Sequence, residues 1–225
     1  MNNRINEIDV FRGLAVILMI IFHIFVDLQD FFGVTVNYQN GFIYMIGRAA
    51  AFTFIFVSGV SAVFSRNNLK NAAYTFAAGL LISISTYLFN PATFVVFGIL
   101  QFLSFCMLSY HFLKGLNPYA FIFFAVFVFA ASFFIEGITV AFPYLIPFGI
   151  YPKDFQTVDY YPIFPYIALF FIGNFAGRTV YKERKALLPD FDILPLRFLG
   201  KHSLIIYLLH QPLIFGILYL LFLFI

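Results

Sequence analysis

Residues 7–30 read EIDVFRGLAVILMIIFHIFVDLQD, and this one stretch is enough to set the fold class. Glu7, Asp9 and Arg12 come first, followed by an apolar run that carries His23 and closes on Asp27 and Asp30. A run of this length and polarity is a membrane-crossing helix, which takes about 20 apolar residues. An imidazole inside such a helix lacks bulk water, so it is either used or satisfied by a protein partner. Ten residues separate Arg12 from His23, which sets them about 16 Å apart along a helix. That distance joins a membrane surface to roughly the bilayer midplane.

The rest of the chain agrees with a membrane setting. Of its 225 residues 63% are hydrophobic and only 10% charged, with a mean hydropathy of +0.95. Soluble domains carry about 25% charged residues, so the chain is expected to be an all-α integral membrane protein. The net charge of +3 calls for no nucleic acid, because the cations sort by membrane side. Trp is absent, which leaves Tyr to supply the interfacial aromatic belt. Cys106 is the single cysteine, so an intrachain disulfide or a cysteine-based zinc site is excluded. The first apolar run is followed by acidic and aromatic residues, without a small-residue cleavage site, and is expected to remain as the first span.

Seven apolar segments, near 10–28, 42–64, 71–89, 94–113, 119–137, 161–180 and 202–224, are expected to form one bundle of about seven transmembrane helices. One domain covers residues 1–225. The breaks between segments carry turn chemistry, such as Arg66-Asn67-Asn68, Asn90-Pro91 and Asn117-Pro118. With the N-terminus inside, the inner side holds Arg4, Arg12, Arg66, Lys70, Lys114, Arg178, Lys182, Arg184, Lys185, Arg197 and Lys201, while the outer loops hold Lys153 alone. That asymmetry predicts an N-inside, C-outside topology. Residues 29–41 and 138–160 form the two substantial outer segments. The second, with Pro143, Pro147, Gly149 and Pro152, has the length of a lid or binding element.

Few ionisable groups fall within the spans. His23 lies near the middle of the first and His210 about eight residues into the last, which starts from the same side, so the two have similar depth. Each is either a satisfied structural histidine or a catalytic one, and a base or nucleophile requires the neutral ring. Asp27, four residues beyond His23, shares its helical face. It can orient the imidazole or hold a proton, and it can also pair with Arg48, an intramembrane arginine that needs a counter-charge; the two readings are compatible. Arg12 either pairs with Asp9, one turn away, or meets an anionic ligand, since a guanidinium suits phosphate oxygens. Gln101, with Ser58, Ser61, Ser83 and Ser85, is a polar span residue of a kind that often joins helices. Gly59, Gly79, Gly173 and Gly177 permit close packing. The four histidines show no metal-ligand spacing, and no metal is expected.

Arg4, Glu7, Asp9, Arg12-Gly13, Met19 and His23 together resemble the opening of the transmembrane acyltransferase superfamily. The remainder is similar to the heparan-α-glucosaminide N-acetyltransferase catalytic-domain family, through FTFIFVSGVSAVFS at 52–65, FGILQFLSF at 97–105, DYYPIFPYIALFFIGNFAGR at 159–178 and LGKHSLIIYLLHQP at 199–212. The resemblance implies acetyl-CoA, or another acyl-CoA, as donor on the inner side. It implies an amine or hydroxyl acceptor, with a glycan the first expectation, at or across the membrane. By carry-over His23 is the catalytic residue and Arg12 belongs to the donor site; in an acyl-transfer reading Asp27 can fix the His23 tautomer, and Arg66, Lys70 or Lys201 can join Arg12 in holding donor phosphates. His210 and Asp159 of the DYYPIFP turn line the pocket, and Arg48 and Gln101 complete the candidate pocket set. The partners are then acyl-CoA, the acceptor and membrane lipid, with self-association compatible.

Two other classes compete with acyl transfer. A proton-coupled transporter could use His23, Asp27, Arg48 and His210 as a relay, although seven spans give no even inverted repeat. A non-catalytic membrane assembly subunit would hold the same polar groups for structure alone.

Overall fold

A computed structural model describes residues 5–188 and 191–223. Arg4 and the last residue of the seventh expected span therefore lie outside the described residues. The chain is helical: α1 (Asn6–Asp30), α2 (Gly41–Phe64), α3 (Asn68–Phe89), α4 (Ile99–Leu113), α5 (Pro118–Ile135), a 3₁₀ helix (Pro143–Phe148), α6 (Ile163–Thr179), α7 (Leu194–Lys201) and α8 (Ser203–Leu223). Extended pairing among the described residues is confined to the isolated bridges Phe97 to Tyr160 and Thr139 to Tyr151. Five helices, α1, α2, α3, α5 and α8, are long and apolar enough to cross a membrane. Helix α4 has 15 residues and α6 has 17, both short of the roughly 20 that a perpendicular crossing takes.

The helix starts follow from local chemistry. The Asn67 side chain accepts from the Lys70 amide at 2.9 Å and so caps α3. Asn117 accepts from the Tyr119 amide at 3.0 Å, with Pro118 at the first position of α5. Both satisfy an amide that the first helical turn leaves without an intrahelical partner. Helix α4 starts later than its apolar run because residues 90–98 are held in an irregular segment. The Val158 amide donates to the Thr93 carbonyl at 3.1 Å and the Tyr161 amide to the Phe97 carbonyl at 3.0 Å. The Asp159 carboxylate accepts from the Ile99 amide at 3.1 Å, placing negative charge at the N-terminus of α4 where the helix dipole favours it.

The chain forms two compact units, residues 1–54 with 184–225, and residues 55–183. In the first unit α1 packs on α7 and α8. Helix α7 was hidden from the sequence inside what reads as a charged connection. It lies against α1 with backbone on backbone: a Cβ on Gly13 would overlap the Leu196 carbonyl, and one on Gly200 would overlap the Asp9 carbonyl. Around this crossing the Leu188 amide donates to Glu7 at 2.9 Å, Asn6 donates to Asp192 at 3.0 Å, and Arg197 pairs with Asp192 at 2.5 Å.

In the second unit α3 packs on α4, and α5 and α4 on α6. Glycines at 59, 79, 173 and 177 all sit at close approaches. A Cβ on Gly59 would fall 3.0 Å from the Gly173 Cα, and one on Gly177 would fall 3.1 Å from the Val60 carbonyl oxygen. The fully buried Asn174 donates to the Gly59 carbonyl at 2.7 Å and fastens the same crossing. Residues 138–160 are anchored rather than loose: the Tyr160 hydroxyl donates to the Ile146 carbonyl at 2.6 Å. Burial holds this phenol well above its ordinary pKa, so it remains a donor.

The α1–α7 crossing leaves no room for a side chain. Gly13→Val or Gly200→Val is therefore expected to destabilise the protein by at least about 3 kcal/mol, at or beyond the usual cost of overpacking. Gly216→Ala, where nothing lies within 4 Å of the added carbon, should leave stability nearly unchanged. Thermal unfolding in detergent checks both.

Candidate functional site

Helices α1 and α8 meet through two polar contacts in the first unit. His23 and His210 face each other with ring centroids 4.8 Å apart. One turn further along α1, Asp27 accepts a 2.5 Å hydrogen bond from the side-chain amide of Gln211. Asp27 is fully buried, His210 nearly so, and His23 half-buried. The two histidines placed at similar depth by sequence are thus brought together. Asp27, left between His23 and Arg48, has a third partner that the sequence did not single out. The Arg48 guanidinium lies over the rings of Phe52 and Tyr44, at 4.9 and 5.6 Å, a cation–π setting on its own helix.

The proton inventory of these contacts can be read from their partners. His210 Nδ1 lies 2.6 Å from the Tyr207 carbonyl oxygen. A carbonyl only accepts, which assigns the proton to Nδ1 and leaves Nε2 of the neutral ring as a bare acceptor. His210 Nε2, Asp27 Oδ2 and Gln211 Oε1 are all buried without a hydrogen-bond partner among the described residues. Buried polar atoms are nearly always paired, so three orphans beside one helix contact call for a ligand or water. Pro212 follows directly within α8 and lacks the amide that would bond the carbonyl four residues back, which loosens the helix ladder at this level.

At the other end of α1, Arg12 donates to Asp9 at 3.0 Å, the local pair that their spacing offered. Gly200 packs on the backbone of Asp9 and Gly13, so the end of α7 brings Lys201 beside the turn that carries Arg12. A guanidinium has five N–H donors, so a carboxylate and a phosphate can share it. Arg66 and Lys70 belong to the second unit, at the exposed turn between α2 and α3, where Lys70 lies over Tyr74 at 5.6 Å.

The two remaining candidates, also in the second unit, have structural partners. Gln101 donates to the Gly79 carbonyl at 3.0 Å and to the Ser83 hydroxyl at 2.7 Å, while its oxygen accepts from the Gly98 amide at 3.1 Å. It is a cross-link between α3 and α4. Asp159 caps α4, as described above. Among the described residues no group of three or more His, Cys, Asp or Glu side chains gathers in a metal-holding arrangement.

These features define the chain as a multi-pass helical membrane protein with a polar site inside its first and last long helices. It belongs to the heparan-alpha-glucosaminide N-acetyltransferase, catalytic, family, whose model matches residues 4–212 and so takes in every candidate residue named above. No curated protein and no solved structure matches the chain. Among residues without an earlier assignment, Gln211 is the one the geometry adds. Its signal in the sequence was its place beside His210 in LLHQP, an amide in an apolar helix that has to find a partner.

Because Gln101 uses its donors and its acceptor within the protein, Gln101→Leu is expected to cost about 2–3 kcal/mol, the scale for stranding buried partners. Activity per folded molecule should change less than twofold. Thermal unfolding combined with a per-molecule assay checks the pair of outcomes.

Proposed function

We propose that the protein is a membrane acetyltransferase that moves an acyl group from acyl-CoA on the inner side to an amine or hydroxyl, on a glycan by first preference, at or across the membrane. In this reading α4 and α6 cross as tilted or locally thinned spans. They complete seven crossings, with the N-terminus inside and the C-terminus outside in accord with the charge asymmetry of the loops. The observation that carries the reading is the His23–His210 contact at 4.8 Å in a chain of this acetyltransferase family.

Two features fit an acyl-CoA donor. Arg12 and Lys201 offer cations for phosphate oxygens at one end of α1. His23 then lies about 16 Å further along the same helix. His23 takes a proton from the acceptor N–H or O–H as the acceptor atom bonds to the thioester carbonyl carbon. The carbon–sulfur bond breaks, and His23 returns the proton to the departing thiolate. In the covalent variant, His23 nitrogen itself bonds the acyl carbon as carbon–sulfur breaks, and the acceptor then takes the acyl group from the ring. In either variant Asp27 supplies negative charge one turn away, which stabilises the ring when it is protonated. His210 packs against the ring and limits how it can rotate. Arg48, Asp159 and Gln101 act at the margin of this scheme, the last two by holding α4 in place.

Purified protein in lipid nanodiscs, given acetyl-CoA with a radiolabelled acetyl group, is expected to turn over the thioester. His23→Ala should lower that turnover at least about 100-fold, the lower range for loss of a positioned general base. Undiminished turnover in the variant would contradict the assignment. Arg12→Gln should raise KM for acetyl-CoA about tenfold, equivalent to roughly 1.4 kcal/mol of lost donor contact, with a smaller change in kcat.

A further inference from the structure

The contact between Asp27 and Gln211 does more than tie two helices. Gln211 spends its NH₂ on Asp27 Oδ1 at 2.5 Å. The other carboxylate oxygen, Oδ2, and the Gln211 carbonyl oxygen are left buried without partners, and so is His210 Nε2 on the neighbouring residue. The tautomer fixed by Tyr207 makes that nitrogen an acceptor. All three orphans are therefore acceptors, and none is a donor.

We infer that Gln211 is a positioning residue that fixes Asp27, so that Asp27 Oδ2, Gln211 Oε1 and His210 Nε2 form a donor-seeking subsite for the acceptor substrate. This rests on the acyl-transfer reading for its place in catalysis, but the subsite's chemistry stands on the contacts themselves. A group with two or more N–H or O–H donors satisfies it, and a group with acceptors alone leaves every orphan unpaired. One of the three atoms belongs to a carboxylate, so the strongest complement is a group whose donors carry positive charge. Without the Gln211 amide, the Asp27 carboxylate would have no hydrogen-bonded partner among the described residues and could rotate its free oxygen away. Gln211 exchanges no proton with the substrate. It sets the direction of Asp27.

The test uses the full chain in nanodiscs with glucosamine as the acceptor probe, together with methylammonium and tetramethylammonium, two cations of which the first has three N–H donors and the second none. Binding is read as thermal stabilisation without acetyl-CoA, and turnover is read separately. The wild type is expected to bind methylammonium at least tenfold more tightly than tetramethylammonium. Gln211→Met should weaken glucosamine binding and raise its KM at least tenfold, with KM for acetyl-CoA within twofold of wild type. Gln211→Glu places two carboxyls in contact, which then share one proton. Its binding should recover as the pH falls and the new carboxyl regains an O–H donor for Asp27, a rise steeper than that of the wild type over the same range. Equal binding of methylammonium and tetramethylammonium by the wild type overturns the subsite, and that comparison needs no variant to fold. Gln211→Met with unaltered glucosamine KM, or a parallel loss toward both substrates, overturns the positioning role. Loss of the subsite alone leaves His23-dependent thioester turnover intact, whereas failure of the acyl-transfer reading abolishes that turnover in the wild type as well.

Discussion

Asp27 is a fully buried carboxylate near the C-terminal end of an apolar helix, and its 2.5 Å bond to Gln211 is the interaction on which the polar centre depends. A carboxylate withdrawn from water costs several kcal/mol unless hydrogen-bonded partners receive it. Gln211 meets half of that need, and the remaining oxygen waits beside two further unpaired acceptors. In a bilayer no bulk water is at hand to correct the deficit. The register of α8 against α1 is therefore constrained by polar contacts, and the same constraint sets His210 against His23. Structure and chemistry are coupled through one pair of helices.

A second constraint acts at the opposite end of α1. Gly13 and Gly200 let α7 approach until backbone meets backbone, and Lys201 follows directly on that contact. Small residues give close helix approach inside membranes, where burial of apolar surface supplies little drive between helices. Arg12 is held there by Asp9 at 3.0 Å. One helix thus carries a charged end, with Glu7, Asp9 and Arg12, and an imidazole–carboxylate centre, with Arg12 and His23 about 16 Å apart along its axis.

Much of this was legible in the sequence, for reasons that can be named. Helix limits fell close to expectation wherever asparagine caps or proline starts mark them, as at Asn67 and Asn117. The similar depth of His23 and His210 followed from counting residues from the same membrane side, whereas their ring contact depends on how α1 and α8 pack. The Asp9–Arg12 pair followed from helical spacing. The partner of Asp27 was not legible, because charge complementarity points to Arg48 and a neutral amide gives no such signal. Helix α7 was missed because its eight residues are too few to show a period and their cations read as a topology marker. The short α4 reflects long-range bonds from residues 157–161, which no local pattern encodes. Gln101 read equally as a pocket residue or a helix cross-link, and only its three hydrogen bonds separate the two.

Whether acyl transfer takes place at the His23–His210 contact is measured most directly by an experimental structure of the protein in lipid with a hydrolysis-resistant acetyl-CoA analogue. Phosphates are expected near Arg12 and Lys201, and the acyl carbon within about 3.5 Å of a His23 ring nitrogen, the separation of a near-attack arrangement. An analogue bound with its acyl carbon remote from both histidines would place the chemistry elsewhere and overturn the assignment.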